Sequence, residues 1–359
     1  MGNGGGDVES GTKSKLTEVE RGRLAEAAFG IGTVVLRTRE LTGGFFNAAY
    51  ELALADGREA ILKIAPPYTA EMLSYERNIM RAEVEALRFI KAAGVAPVPE
   101  VYAYDDSRTV IPYEYFFMEK VKGRPYNEAR EEMTIGERME IERELGRYNR
   151  QINEVRGERF GLFLNTPAKA PGTWRETFSG LIGNVLNDAR RLGASLPIDR
   201  KTLDQGIAKL LPVLDEVTEP RLVHWDLWNG NIFVDNGKIT ALIDWERALW
   251  GDPLMEYYFR PFENSEAFGS GYGVVFDSPG AQARKELYDL YFNLISVIEY
   301  YSRKYDNSEH LNWANTNLLE GWERVALFAS CRPWLVGSLD RSPMEMLCKQ
   351  TLSSFLYYG

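Results

Sequence analysis

The chain has 359 residues, 45% of them hydrophobic and 26% charged, with a formal net charge of −10. This is the composition of a soluble protein with room for two domains, and its acidic balance excludes a general nucleic-acid binder, which would show a basic face. Two cysteines, Cys331 and Cys348, are too few for a disulfide framework, and their spacing matches no zinc motif.

The opening MGNGGGDVESGTKSK has no apolar signal core, and no stretch approaches the roughly 20 apolar residues that cross a bilayer. The expectation is a cytoplasmic protein with no membrane partner. Its MG start lacks the Ser or Thr of a myristoylation motif, since Gly6 stands at the sixth position. Residues 1–15 read as a disordered tail whose composition cannot bury a core. The GDVESGTKS within it imitates a phosphate loop, but no buried strand precedes it.

Ordered sequence begins with the helix LTEVERGRLAEAAFG, with Thr17 at its N-cap and Gly30 past its end. TVVLRTREL, FFNAAYELALADG and REAILKIAPP follow as three strands, with Asp56-Gly57 turning the second into the third. The glycines of TGGFFN, residues 42–47, relieve a tight turn or form a phosphate loop. Lys63 lies inside the apolar run ILKI, where an ammonium needs a partner. The next helix, YERNIMRAEVEALRFIKAAG, has Met80, Val84, Leu87 and Ile90 as its apolar stripe. Glu83 falls beside that stripe and is chosen as the counter-charge; Glu85 is turned away by about 200° and should be solvated.

After VPEVYAYDD comes the strand YEYFFMEKVKG, then a long helical remainder. A hinge at FFMEKVKG between a mainly β part and a mainly α part would create a cleft. Amphipathic helices are expected in TIGERMEIERELGRYNRQINEV and RKELYDLYFNLISVIEYYSRKYD.

The most informative stretch is RLVHWDLWNGNIFVDNGKITALIDWERALWGDP, residues 221–253. NIFV and LIDW read as short strands around an Asn236-Gly237 turn. This hairpin brings Asp226, Asn231 and Asp244 to one edge, an oxygen set suited to Mg²⁺. The spacing His224-x-Asp226-x-x-x-x-Asn231 is also the catalytic-loop pattern of kinases.

Taken together, TGGFFNAAY, the lysine of ILKI, Glu83-Leu87-Ile90, PVPEV, FMEKVKG, HWDLWNGN and LIDWERALWGDP occur in the order shown by the aminoglycoside phosphotransferase family. The chain resembles that family over roughly residues 25–260. The resemblance implies an α+β, two-lobed, protein-kinase-like fold, with a mainly antiparallel nucleotide-binding lobe at 16–118, a hinge at 119–123 and a helical lobe at 124–359.

It also implies ATP or GTP with Mg²⁺, and a small-molecule hydroxyl acceptor. Asp226 would be the catalytic aspartate, Asn231 and Asp244 the metal ligands, and His224 the brace of the loop. Lys63, paired with Glu83, would bind the α and β phosphates. Gly43, Gly44, Asn47 and Ile61 would line the nucleotide, and the Glu119 carbonyl and Val121 amide would hold the adenine edge. Trp228 replaces the phosphate-contacting lysine of protein kinases, and no APE-type segment follows Asp244, which argues against a protein substrate.

Two other classes compete. A metal-dependent phosphohydrolase would recruit several histidines, but only His310 accompanies His224. A pseudokinase would lack a catalytic residue, and none is missing. For the acceptor, Asp252, Glu256, Glu263 and Glu266 beside Tyr257, Tyr258, Phe259 and Phe262 predict a pocket for a cationic alcohol. The motifs fit a monomer or a homodimer equally.

Overall fold

A computed structural model describes residues 15–41, 47–67, 71–164, 172–260, 265–305 and 307–330. The chain enters through α1 (Glu18–Phe29), fixed at its start by a reciprocal capping box between Thr17 and Glu20 and ended by Gly30 at φ 108°. Strands β1 (Val35–Leu41), β2 (Ala48–Leu54) and β3 (Glu59–Ile64) form an antiparallel meander. Helix α2 (Ile79–Ala93) follows, then β4 (Val101–Asp105) and β5 (Tyr115–Glu119). The sheet order is β1-β2-β3-β5-β4. β4 falls in VPEVYAYDD, where the sequence pattern suggests only a connection.

The period of two sorts this sheet's side chains. Leu52, Leu62, Ile64 and Phe117 face the α1 side, where they pack with Leu24. Phe116 and Met118 face α2, with Met80, Val84, Leu87 and Ile90, and Ile61 packs against the same cluster. Lys63, paired in register with Ala49 and Phe116, shares that second face.

Beyond β5 come β6 (Arg124–Pro125), α3 (Tyr126–Ala129), α4 (Ile135–Glu154), β7 (Gly161–Leu162), α5 (Trp174–Arg191) and α6 (Arg200–Leu210). Then follow β8 (Arg221–Val223), β9 (Ile232–Asp235), β10 (Lys238–Leu242) and β11 (Leu249–Gly251). Helices α7 (Glu266–Tyr272), α8 (Pro279–Arg303) and α9 (Ser308–Ser330) end the described chain. Two small antiparallel sheets, β10-β9-β6 and β7-β11-β8, carry the residue 221–253 stretch on the helical lobe. Asn236 at φ 48° and Gly237 at φ 72° make the β9–β10 turn with positive φ at both positions.

α7 lies in the aromatic, glycine-rich segment that follows residues 221–253. Its Phe268 and Tyr272 are buried in the core, and the helix lies against α4. A side chain at Gly146 would run into the Phe268 carbonyl, and one at Gly271 into that of Arg143, so glycine is what permits this close approach.

A second difference concerns the lobe boundary. Leu73, Tyr75 and Ile79, within the expected 16–118 unit, belong to the hydrophobic core built by α5, α6, α8 and α9. Ser74 donates through its backbone N–H (2.6 Å) and hydroxyl (3.0 Å) to Asp188 of α5, and Glu76 is ion-paired with Arg303 of α8. The connection entering α2 is therefore anchored in the helical lobe. Among the described residues no helix is long and apolar enough to cross a membrane.

Candidate active site

The loop leaving β8 is held from three directions. His224 is fully buried; its backbone N–H donates to Glu256 Oε2 (3.1 Å) and its ring Nε2 lies 2.9 Å from the Ile243 carbonyl. Nδ1 accepts the Asp226 N–H (3.3 Å), so Nε2 carries the proton and donates to Ile243. Burial lowers the His224 pKa, so the ring is neutral and serves as a hydrogen-bonded strut.

Trp225 then adopts φ 69°, a left-handed conformation that costs a non-glycine residue about 1 kcal/mol or more. Its ring is buried and stacks on Tyr291 with centroids 5.4 Å apart, which holds the strained backbone directly before Asp226. Asp226 is half-buried. Burial raises its pKa, and Arg247 opposes that shift.

Asn231 Nδ2 donates to the Asp226 carbonyl (2.8 Å), which leaves its Oδ1 as the free amide acceptor. The Asn231 carbonyl accepts from Ile243 N–H (3.0 Å), joining the loop to the residue before Asp244. β10 ends at Leu242, earlier than the strand read through LIDW. Asp244 itself sits at φ 67°, ψ 52° and starts the Trp245–Arg247 turn.

From that position Asp244 Oδ1 lies 2.7 Å from Lys63 Nζ, and Glu83 Oε1 lies 2.6 Å from the same nitrogen. Burial works against the Lys63 charge, but Asp244 and Glu83 overcome it and hold the pKa above the ordinary lysine value. Burial likewise opposes charge on Asp244, and Lys63 brings its pKa below the usual aspartate range. Glu83 is fully buried, and its pKa is raised by that burial. Glu85 sits at the surface with Arg88 at 3.1 Å.

Sequence reasoning missed Glu246. It accepts from Asn47 Nδ2 (3.2 Å), and Glu83, Asp244 and Glu246 each offer an oxygen within 4.8 Å of the others. Glu83 Oε2 and Asn47 Oδ1 are buried there with no hydrogen-bond partner. Orphaned hard oxygens of this kind fit a divalent cation or its phosphate-bound waters. The only sequence signal was the D-x-E spacing at 244–246, which does not say that the intervening turn keeps both carboxylates together.

Glu119 and Val121 lie at the end of β5 and just beyond it, both half-buried, and Ile61 is in register with Met118. Lys120 between them is tied to Glu51 (2.9 Å) and Glu59 (3.0 Å). Gly43, Gly44 and Glu263 lie outside the described residues, as do Phe262 and both cysteines.

The acceptor carboxylates require a correction. Asp252 is 3% exposed; its Oδ2 accepts from Arg284 Nε and the Tyr288 hydroxyl, both at 2.8 Å, and its Oδ1 caps Leu254 N–H at 3.1 Å. Glu256 is 0% exposed, and its oxygens accept from His224 N–H, Asn149 Nδ2 (3.2 Å) and Tyr257 N–H (3.0 Å). Both carboxylates are consumed by the scaffold beneath the loop and offer nothing to a ligand. Glu266 is exposed at the first turn of α7.

Comparison with known proteins agrees with this geometry. A family model described as the phosphotransferase enzyme family matches residues 37–265. A subtelomeric hrmA-associated cluster protein of Aspergillus fumigatus is 29% identical over 128 residues, 35% of this chain and 24% of the relative. The hygromycin-B 4-O-kinase of Escherichia coli is 38% identical over 63 residues, 16% of this chain and 18% of that enzyme. The chain thus spans about a quarter or less of the length of these curated relatives.

Solved structures sharing the fold include a thermostable mutant of aminoglycoside phosphotransferase APH(4)-Ia in ternary complex with AMP-PNP and hygromycin B. Its TM-score is 0.60 at 20% identity, covering 86% of this chain and 99% of that one. The gentamicin complex of APH(2")-IIa gives 0.61 at 16% identity, covering 87% and 99%. At these identities the likeness concerns fold. The family match runs through the lysine strand, α2 and the whole loop from His224 to Asp244, and on that span this chain belongs to the phosphotransferase enzyme family.

Proposed function

We propose that the chain is a small-molecule kinase. It moves the γ-phosphoryl group of ATP, or GTP, to a hydroxyl of a small alcohol such as an aminoglycoside-like amino sugar, with Mg²⁺ required. The observation that carries this reading is the convergence of Lys63, Glu83, Asp244 and Glu246 beside the Asp226–Asn231 loop. Residues 16–118, less the anchored connection, serve as the nucleotide lobe. Residues 119–123 serve as the hinge, and the helical lobe supplies the acceptor side.

The residues present suit the metal. Asn231 Oδ1 and the Asp244 carboxylate would hold it, with Glu246 as a further oxygen donor, and Mg²⁺ bound there supplies charge neutralisation at the β and γ phosphates. Lys63 would leave its two carboxylate partners in part to bind the α and β phosphates, a role suited to a lysine already fixed at the cleft.

Asp226 orients the acceptor hydroxyl and takes its proton as the phosphoryl group moves from the β–γ bridging oxygen to the acceptor oxygen. The transition state is loose, so alignment matters more than basicity. His224 and Asn231 hold the loop that aims this carboxylate.

The test is a screen of nucleotide consumption by the purified chain with Mg²⁺ against hygromycin B, gentamicin and neutral or anionic alcohols. Acceptor-dependent release of ADP that Asp226→Asn abolishes supports the reading. Consumption that no alcohol stimulates, or that survives Asp226→Asn, sinks it. Selectivity for cationic alcohols would have to arise from residues other than Asp252 and Glu256.

A further inference from the structure

A phosphoryl group in flight spreads negative charge over its equatorial oxygens, and kinases answer it with a cation near the catalytic aspartate. The segment His224–Asn231 holds no lysine or arginine, and its Trp228 is 37% exposed. Lys63, held between Glu83 and Asp244, is assigned to the α and β phosphates, and Arg260 is buried in an ion pair with Asp289 at 2.7 Å. The requirement therefore falls on a residue outside the loop.

Arg247 stands three residues beyond Asp244, at the end of the turn that begins there. Its Nη2 donates to Glu299 Oε1 of α8 at 2.8 Å, and its guanidinium carbon lies 5.5 Å from the Tyr75 ring centroid and 5.7 Å from that of Trp225. The Tyr75 hydroxyl donates to the same Glu299 oxygen at 2.6 Å. Two aromatic faces and one carboxylate thus fix a side chain that is 13% exposed.

Trp225 directly precedes Asp226, so this seat is on the loop that carries the catalytic carboxylate. Of the Arg247 donors, Nη2 is used, Nε is buried without a partner, and Nη1 donates to no group among the described residues. A guanidinium with a donor to spare, clamped on the ring of the residue that directly precedes the reacting carboxylate, is arranged for an oxyanion.

We infer that Arg247 supplies a side-chain positive charge to the transferring phosphoryl group, in addition to the metal, with Glu299 and Tyr75 as its positioning residues. The inference rests on the kinase reading and adds to it a residue three places beyond the metal-binding aspartate, with a partner 52 residues further along the chain. Arg247 forms no bond to phosphorus; its N–H groups donate to the equatorial oxygens while the β–γ bridge breaks and the acceptor P–O bond forms.

The experiment measures binding of Mg·ADP to the full chain with and without aluminium fluoride, which mimics the group in flight. Arg247→Met should leave Mg·ADP affinity within about twofold and lower affinity for Mg·ADP·aluminium fluoride by on the order of 10²-fold. Arg247→Lys should recover part of that loss, and Glu299→Gln should show a smaller loss of the same kind. The inference is overturned if folded Arg247→Met binds the fluoride complex within about threefold of wild type, or loses both complexes equally. Should Arg247→Met fail to fold, Glu299→Gln decides: a loss confined to the fluoride complex supports the inference, and any other pattern overturns it. A wild-type chain that binds no Mg·ADP refutes the kinase reading instead.

Discussion

Glu256→Gln separates a ligand-binding carboxylate from a scaffold one. In the structure the two oxygens of Glu256 accept three donors: His224 N–H and Asn149 Nδ2 at one oxygen, Tyr257 N–H at the other. A glutamine has one acceptor oxygen. Its better orientation keeps the His224 and Asn149 bonds and turns an NH₂ group onto the Tyr257 N–H. One buried donor facing another costs about 1–3 kcal/mol. Glu256→Ala removes all three acceptor bonds and leaves a void as well. Its loss should be about 3–6 kcal/mol, a large part of the 5–15 kcal/mol that stabilises a typical domain. Urea unfolding with a constant m-value measures both. Turnover of Glu256→Gln should fall through kcat, because the His224 end of the loop loosens, with little change in acceptor KM. If Glu256→Gln keeps wild-type stability and changes only acceptor KM, then Glu256 binds the acceptor and the burial argument is wrong.

Asp226→Asn should bind Mg·ADP within about twofold of wild type by calorimetry while turnover drops by on the order of 10² or more; Asp244→Ala should instead weaken the Mg²⁺-dependent part of nucleotide binding. Lys63→Met leaves Glu83 and Asp244 without their shared cation, a loss of about 3 kcal/mol in unfolding experiments. Adding Glu83→Gln should recover part of that stability but none of the nucleotide affinity. In the sheet, hydrogen bonds from Lys120 and Arg39 lower the Glu51 pKa. A depressed carboxylate contributes stability above its unfolded pKa and loses it as pH falls through the folded one, so Glu51→Gln should flatten the acid side of the stability–pH curve below about pH 4. An unchanged acid limb would show that the Glu51 cluster adds no net stability.

Local chemistry makes much of this molecule legible in the amino-acid sequence itself. Thr17 with Glu20 announces the start of α1, Asn236-Gly237 announces a hairpin, and the stripe Met80, Val84, Leu87, Ile90 fixes the inward face of α2. These signals are carried by hydrogen bonds and periodicities spanning only a few residues, and the order of the motifs carries the family. The meeting of Lys63 with Glu83 follows from the same logic, because a lysine in an apolar strand needs a carboxylate and the helix periodicity leaves one well placed.

The tertiary structure alone decided which carboxylates face the cleft. Asp252 and Glu256 look in sequence like ligands beside aromatic residues, yet Arg284, Tyr288, Asn149 and His224, 32 to 107 residues away, enclose them. Glu246 joins Glu83 across more than 150 positions, Arg247 finds Glu299 across 52, and Tyr75 crosses from the strand lobe into the helical core. An acidic side chain has the same local pattern whether it meets water or a buried donor. Which of the two it meets depends on distant segments that pack over it, and no short window of sequence contains them.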